Sequence, residues 1–79
     1  MSQVKADRVV DARGTACPGP LMEAVRIIKK MNIGEVVEIL STDPGSKNDI
    51  PAWAKKAGQE IVAIIEEQGY WRIFLKKVK

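Results

Sequence analysis

Residues 18–42 read PGPLMEAVRIIKKMNIGEVVEILST, in which a helical pattern is followed by a strand pattern. In the first part, apolar side chains recur at the spacing of one helix face, and charged side chains occupy the other face. The apolar set is Leu21, Ala24, Val25, Ile28 and Met31, and the charged set is Glu23, Arg26, Lys29 and Lys30. We therefore predict a helix over residues 18–31 and, from the β-branched residues that follow, a largely buried strand over residues 35–42.

The segments on either side add further elements. In chain order these are a strand over residues 4–11, a loop over 12–16, a turn over 43–45, a helix over 46–57 and two strands over 61–67 and 70–78. Ser46 and Asp49 are spaced as in a capping box at the start of the second helix, and Gly58 is placed to end it. Residues 68–69 form the turn of a closing hairpin.

This order, β-α-β-α-β-β, predicts that residues 1–79 form a single domain, a two-layer α/β (α+β) sandwich. A strand–helix–strand crossover within one sheet requires parallel pairing, whereas the closing hairpin is antiparallel. We expect a four-stranded mixed sheet with both helices packed on one face. Tyr70 and Phe74 alternate with the apolar residues of the last strand, so they are expected on the other, more open face.

The composition fits a soluble globular domain and excludes several kinds of site. Of the 79 residues, 46% are apolar and 29% charged, with one cysteine and no histidine. An internal disulfide, a zinc finger and a histidine-based triad are thereby excluded, and we expect neither a cofactor nor a metal. No apolar run has the length of a membrane span or the form of a signal peptide, so the expected location is the reducing cytoplasm.

The sequence Cys17-Pro18-Gly19-Pro20 stands where the first loop meets the first helix. Pro18 restricts Cys17 to the extended geometry of a helix N-cap and itself suits the first helical position. The partial positive charge of a helix N-terminus favours a thiolate, and Arg13 adds a cation close in sequence. We predict that Cys17 is exposed and reactive; the alternative is a small buried cysteine that only fills space at the cap.

A lone reactive cysteine limits the chemistry that the chain performs by itself. Without a second cysteine it runs no dithiol redox cycle, and without histidine it lacks the usual base of a cysteine hydrolase. A single thiolate is still sufficient to accept a sulfur atom as a persulfide and to surrender it to another thiol.

The stretch from Asp11 to Pro20, DARGTACPGP, resembles the TusA/SirA-like family of small sulfur-carrier proteins, as do Asp43-Pro44 and Asp49-Ile50-Pro51. The resemblance spans nearly the whole chain and implies the fold predicted above, with a persulfide carried on Cys17. The residues that match the family stretch around this cysteine, and so have supporting roles, are Asp11, Arg13, Pro18, Gly19 and Pro20. Asp11 and Arg13 either shape the loop or guide a partner, or they only tie the loop together.

The same resemblance implies partners and pathways. Family members take sulfur from a cysteine desulfurase or a rhodanese-like donor and relay it to acceptors, commonly of the DsrE-like class. The destinations include tRNA thiolation, molybdenum cofactor biosynthesis and sulfur oxidation, and some members carry a thiosulfonate or serve selenium metabolism. The residues do not choose among these routes. A stoichiometric sulfurtransferase-type carrier is the implied activity.

Two interpretations without sulfur transfer stay open. One is a small RNA-binding module, because the predicted architecture also resembles the C-terminal domain of a bacterial translation initiation factor; the other is a regulatory module that binds protein partners. Four aromatic residues and a net charge of +3 are thin support for direct nucleic-acid binding. Trp53 and Trp71 are either docking anchors or core residues, and their spacing favours the core.

Overall fold

The structure is a computed structural model that describes residues 6–14 and 19–79. Its elements are β1 (Arg8–Asp11), α1 (Gly19–Lys30), β2 (Val36–Ser41), α2 (Ser46–Ala57), β3 (Glu60–Glu67) and β4 (Tyr70–Lys76). The predicted element order is confirmed, and most boundaries agree within one residue. Two strands are shorter than predicted, since β1 begins at Arg8 and β4 ends at Lys76.

The sheet has the strand order β1-β2-β4-β3 and is mixed, as predicted. β1 and β2 are parallel because α1 carries the chain from the end of one strand back to the start of the next. β4 lies antiparallel to both β2 and β3, and a bulge between Ile61 and Ala63 shifts the register of the β3–β4 pairing. The topology brings the ends of β1 and β2 and the start of β4 to one edge of the sheet.

The core lies between the sheet and the two helices. Ile39 of β2 and Ile73 of β4 are opposite each other in register, and both are completely buried. Above them lie the apolar faces of the helices, contributed by Ala24, Ile28, Ile50 and Ala54. The apolar stripe predicted for the first helix is therefore its buried face except at Val25, which is half-buried and lines a surface groove. Trp53 and Trp71 are half-buried against this core, as their spacing favoured.

The opposite face of the sheet is less open than predicted. Phe74 alternates with Ile73 and Leu75 and lies outside the helix-side core, yet only 1% of its surface is exposed. The guanidinium of Arg72 covers its ring, with the central carbon 5.1 Å from the ring centroid. Arg72 is held there by Glu38 at 2.6 Å and Glu67 at 3.2 Å. An ion-pair network, rather than a third layer, covers this aromatic ring.

The predicted capping box at the start of α2 is wrong. Gly45 occupies the N-cap position and makes no side-chain cap hydrogen bond, while Ser46 is the first helical residue. The Ser46 hydroxyl turns toward the sheet instead, where it lies 2.6 Å from Ser41 Oγ and 2.7 Å from the carbonyl oxygen of Asp43. Both serine side chains are fully buried. Their pairing satisfies two buried hydroxyl groups and fixes the start of α2 against the end of β2. At the other end of α2, Gly58 has the predicted left-handed conformation.

Candidate functional site

The candidate site lies where three connections meet at one edge of the sheet. We define this loop edge by residues 12–14, 42–45 and 68–69. Because β1 and β2 are parallel, the chain segments that follow them leave the sheet on the same side. Ser41, the last residue of β2, is in register with Trp71 near the start of β4, so the hairpin turn lies there as well.

The predicted site residues fall partly within the described structure. Cys17 and Pro18 lie outside the described residues, so the exposure of Cys17 stays a prediction. Gly19 is the first residue of α1 and Pro20 the second, which places the helix start one residue later than predicted. Asp11 is the last residue of β1, and Arg13 follows it at the loop edge.

Asp11 and Arg13 form a bidentate ion pair. Arg13 Nε and Nη2 donate to the two carboxylate oxygens of Asp11, each at 2.9 Å, and the backbone N–H of Arg13 donates to Oδ1 at 3.1 Å. Two parallel hydrogen bonds between a guanidinium and a carboxylate fix orientation as well as distance. This geometry ties the loop together, and a role of the pair in guiding a partner stays a prediction.

Tyr70 is a third member of this group, and sequence reasoning missed it as a partner. The central carbon of the Arg13 guanidinium lies 5.1 Å from the centroid of the Tyr70 ring, within the range of a cation–π interaction. Tyr70 is the first residue of β4, 57 positions further along the chain. Only the strand order and register of the sheet bring the two residues together, so no local sequence signal indicates the contact.

The ion pair changes the electrostatics predicted around Cys17. The side-chain hydrogen bond from Arg13, followed by its backbone hydrogen bond, lowers the pKa of the Asp11 carboxyl from 3.8 to about 2. The same side-chain hydrogen bond raises the pKa of the Arg13 guanidinium. The sequence predicted that Arg13 adds a cation close to Cys17 in the chain, and in the structure Asp11 balances that charge. Among the described residues, the N-terminal end of α1 contributes partial positive charge at the end of the motif, and its first turn carries no acidic residue.

The lowered pKa of Asp11 predicts how this pair responds to acid. Since the folded-state value lies below the unfolded one, the stabilisation is complete above pH 3.8 and is lost as the pH falls through about 2. A carboxyl titration followed by NMR should give a midpoint for Asp11 of about 2. Arg13→Gln should return the midpoint toward 3.8, whereas Arg26→Gln, on the surface of α1, should leave it unchanged. An ordinary midpoint in the wild-type protein would contradict the ion-pair geometry.

Backbone hydrogen bonds attach the start of the loop to β2. The N–H of Ala12, which is 2% exposed, donates to the carbonyl oxygen of Leu40 at 2.8 Å. Two residues later, the N–H of Gly14 donates to Thr42 Oγ1 at 3.0 Å. Gly14 has φ +84°, a conformation that glycine adopts without strain. Ala12 thus attaches the start of the loop to β2, Gly14 attaches it to Thr42 directly after β2, and Arg13 attaches it to Tyr70 of β4.

Two surface grooves flank α1. One, of about 270 Å³, lies between the helices and is lined by Leu21, Asp49, Ala52, Trp53 and Lys56. The other, of about 320 Å³, is lined by Met22, Val25, Arg26, Lys29 and Lys30. Over residues 6–14 and 19–79, no group of three or more acidic, histidine or cysteine side chains is placed to hold a metal ion. In the same part of the chain, neither helix has the length and apolar character needed to cross a membrane.

Comparison with known proteins gives consistent results. Residues 8–77 match the model of a family described as sulfurtransferase TusA. A protein of Archaeoglobus fulgidus, provisionally named a sulfur carrier, is 58% identical over 71 residues, which cover 90% of this chain and 97% of that one. The sulfur carrier protein TusA of Allochromatium vinosum is 38% identical over 71 residues, which cover 90% and 93% of the two chains. Of two longer relatives, this chain spans only 39% and 40%.

A solved structure supports the fold independently of close sequence identity. The crystal structure of a SirA-like protein from Desulfitobacterium hafniense superimposes with a TM-score of 0.79. The match covers 91% of this chain and 99% of that one at 20% identity. At this identity the likeness concerns the arrangement of the two helices on the mixed sheet, which is the architecture predicted from the sequence.

Proposed function

This chain belongs to the sulfurtransferase TusA family, and we propose on that premise that it carries sulfur as a persulfide on Cys17. The whole chain, residues 1–79, acts in this proposal as one TusA-like domain. Cys17 is the single cysteine of the sequence and stands in the motif that ends at the start of α1. The relatives named sulfur carriers support the same role.

The transfer is an exchange between sulfur atoms. The Cys17 thiolate attacks the outer sulfur of a persulfide on the donor, so that a new S–S bond forms at Cys17 as the donor's S–S bond breaks. The donor leaves as a thiolate, and electrons and atoms balance without an oxidant or reductant. An acceptor thiolate then attacks the outer sulfur on Cys17 in the same way and restores the Cys17 thiolate.

The described residues on either side of the motif support this proposal. Gly14, three residues before Cys17, is hydrogen-bonded at the loop edge, and Gly19, two residues after it, begins α1. A helix N-terminus with no acidic residue in its first turn stabilises an anion such as a thiolate or a persulfide. In this proposal the exchange depends on contact between the two sulfur atoms rather than on a closed pocket.

The proposed partners follow from the family. A cysteine desulfurase or rhodanese-like protein supplies the sulfur, and a DsrE-like protein or another thiol-bearing acceptor receives it. Nucleic acid takes part only through later steps such as tRNA thiolation. A lone thiol remains a thiol in a reducing compartment, so we place this function in the cytoplasm.

Intact mass spectrometry after incubation with a purified cysteine desulfurase and L-cysteine tests the proposal. The protein should gain the mass of one sulfur atom, and dithiothreitol should remove the gain, as expected for a persulfide. A sample blocked beforehand with iodoacetamide is the control and should gain nothing. An unmodified wild-type spectrum with desulfurase, rhodanese-like and small-molecule donors alike would refute the carrier function.

A further inference from the structure

Tyr70 lies at a point of the sheet that is held by two strands and a helix. It is half-buried at the start of β4, where the hairpin pairs it with the end of β3. The next residue, Trp71, is in register with Ser41 of β2, and its ring centroid lies 5.4 Å from the Lys47 amine of α2. The Tyr70 ring is therefore a firm point of attachment for whatever stacks on it.

Arg13 is the residue that stacks there, and its guanidinium is held from two directions. Along its edge, Asp11 accepts two hydrogen bonds of 2.9 Å each. Across its plane, the central carbon lies over the Tyr70 ring at 5.1 Å from the centroid. A planar guanidinium that pairs with a carboxylate and also stacks on a ring is fixed in position and in orientation.

This contact lies close to the motif cysteine in the chain. Gly14 follows Arg13 and is hydrogen-bonded to Thr42, and only two residues separate Gly14 from Cys17. On the other side of the motif, α1 begins at Gly19. Loosening one end of so short a connection increases the number of conformations that its residues sample.

We propose that Tyr70 is a positioning residue for sulfur exchange, because its stacking on Arg13 restricts the motif loop to the arrangement in which the N-terminus of α1 stabilises the Cys17 thiolate. The inference rests on the proposed function, since it concerns how readily that same thiolate forms. Arg13 acts here through the loop and not by contact with the partner. Without the stack, the loop samples further arrangements and the thiolate loses part of its stabilisation by the helix.

The pH dependence of Cys17 alkylation by iodoacetamide tests the proposal, because the thiolate is the reacting form and no sulfur donor takes part. Tyr70→Val removes the ring and keeps a residue that suits a strand. The alkylation midpoint should rise by about half a pH unit, which corresponds to about a threefold loss of thiolate below the midpoint and to the strength of an exposed cation–π contact. Loading from glutathione persulfide at neutral pH should slow by the same factor.

Three further variants separate positioning from a general loss of structure. Tyr70→Phe keeps the ring and should retain the wild-type midpoint. Ile65→Ala truncates a half-buried side chain of β3 in the same sheet and should leave the midpoint unchanged. Arg13→Lys keeps the charge but loses the planar fork that pairs with Asp11, so its midpoint should rise as in Tyr70→Val. Arg13→Lys also provides the test if denaturation shows that Tyr70→Val does not fold.

The proposal is overturned by an unshifted midpoint in folded Tyr70→Val or by an equal shift in Ile65→Ala. A shift in Tyr70→Phe as large as that in Tyr70→Val would assign the effect to the hydroxyl group and would also refute the stacking role. So would Arg13→Lys with a wild-type midpoint and slow loading from protein donors alone, because Arg13 would then act by touching the partner. If the midpoints shift as expected but Cys17 takes up sulfur from no donor, the positioning of the thiolate is upheld and the proposed function fails.

Discussion

Replacing Cys17 with serine should abolish sulfur loading and leave the fold intact. A serine hydroxyl is not ionised at neutral pH and is a poor nucleophile toward sulfur, so loading should fall by at least about a hundredfold. The loss should appear with protein donors and with glutathione persulfide alike, because it concerns the reacting atom rather than docking. Intact mass spectrometry after exposure to each donor measures it directly.

The same variant separates the two roles that the sequence allows for Cys17. If the thiol were a buried filler at the helix cap, a serine hydroxyl in its place would be buried too and would lower the free energy of unfolding by about 1–3 kcal/mol. For an exposed nucleophile, the denaturation midpoint should stay at its wild-type value. Gln68→Ser, at an exposed position of the hairpin turn, is the matched control and should load normally. Persistent loading of the Cys17→Ser protein would place the sulfur on another atom.

The fold could be predicted from the sequence because its signals are local. The apolar stripe that includes Ala24 and Ile28 fixes the buried face of α1 from helical periodicity alone. The β-α-β order then requires β1 and β2 to be parallel, and the short turn at residues 68–69 requires β3 and β4 to be antiparallel. The motif around Cys17 was recognisable for the same reason, since its residues are consecutive in the chain.

Two kinds of contact could not be predicted from the sequence. One joins residues that are far apart in the chain, and the other forms in a turn whose geometry depends on the rest of the fold. The Arg13–Tyr70 contact depends on which strand lies beside which, and this follows from the whole sheet. The capping box was wrong because a serine hydroxyl at the start of a helix can bond to the backbone of the first turn or to a group elsewhere in the fold. Ser46 takes the one toward Ser41, which only the assembled loop offers.

The burial of Phe74 on the outer face of the sheet is another feature that the sequence did not predict. Truncating this side chain should give the largest loss of stability among the substitutions considered. Its ring is 1% exposed beneath Arg72, so Phe74→Ala should lower the free energy of unfolding by about 3–5 kcal/mol. A domain of 79 residues has only about 4–12 kcal/mol in total, so the loss amounts to at least about a quarter of the stability of the domain. Chemical denaturation at 25 °C measures the difference. Val9→Ala is the control, because Val9 lies on the same face of the sheet and is 61% exposed, and its effect should stay within about 0.5 kcal/mol. Similar losses for the two variants would mean that the Arg72 network does not exclude water from the ring.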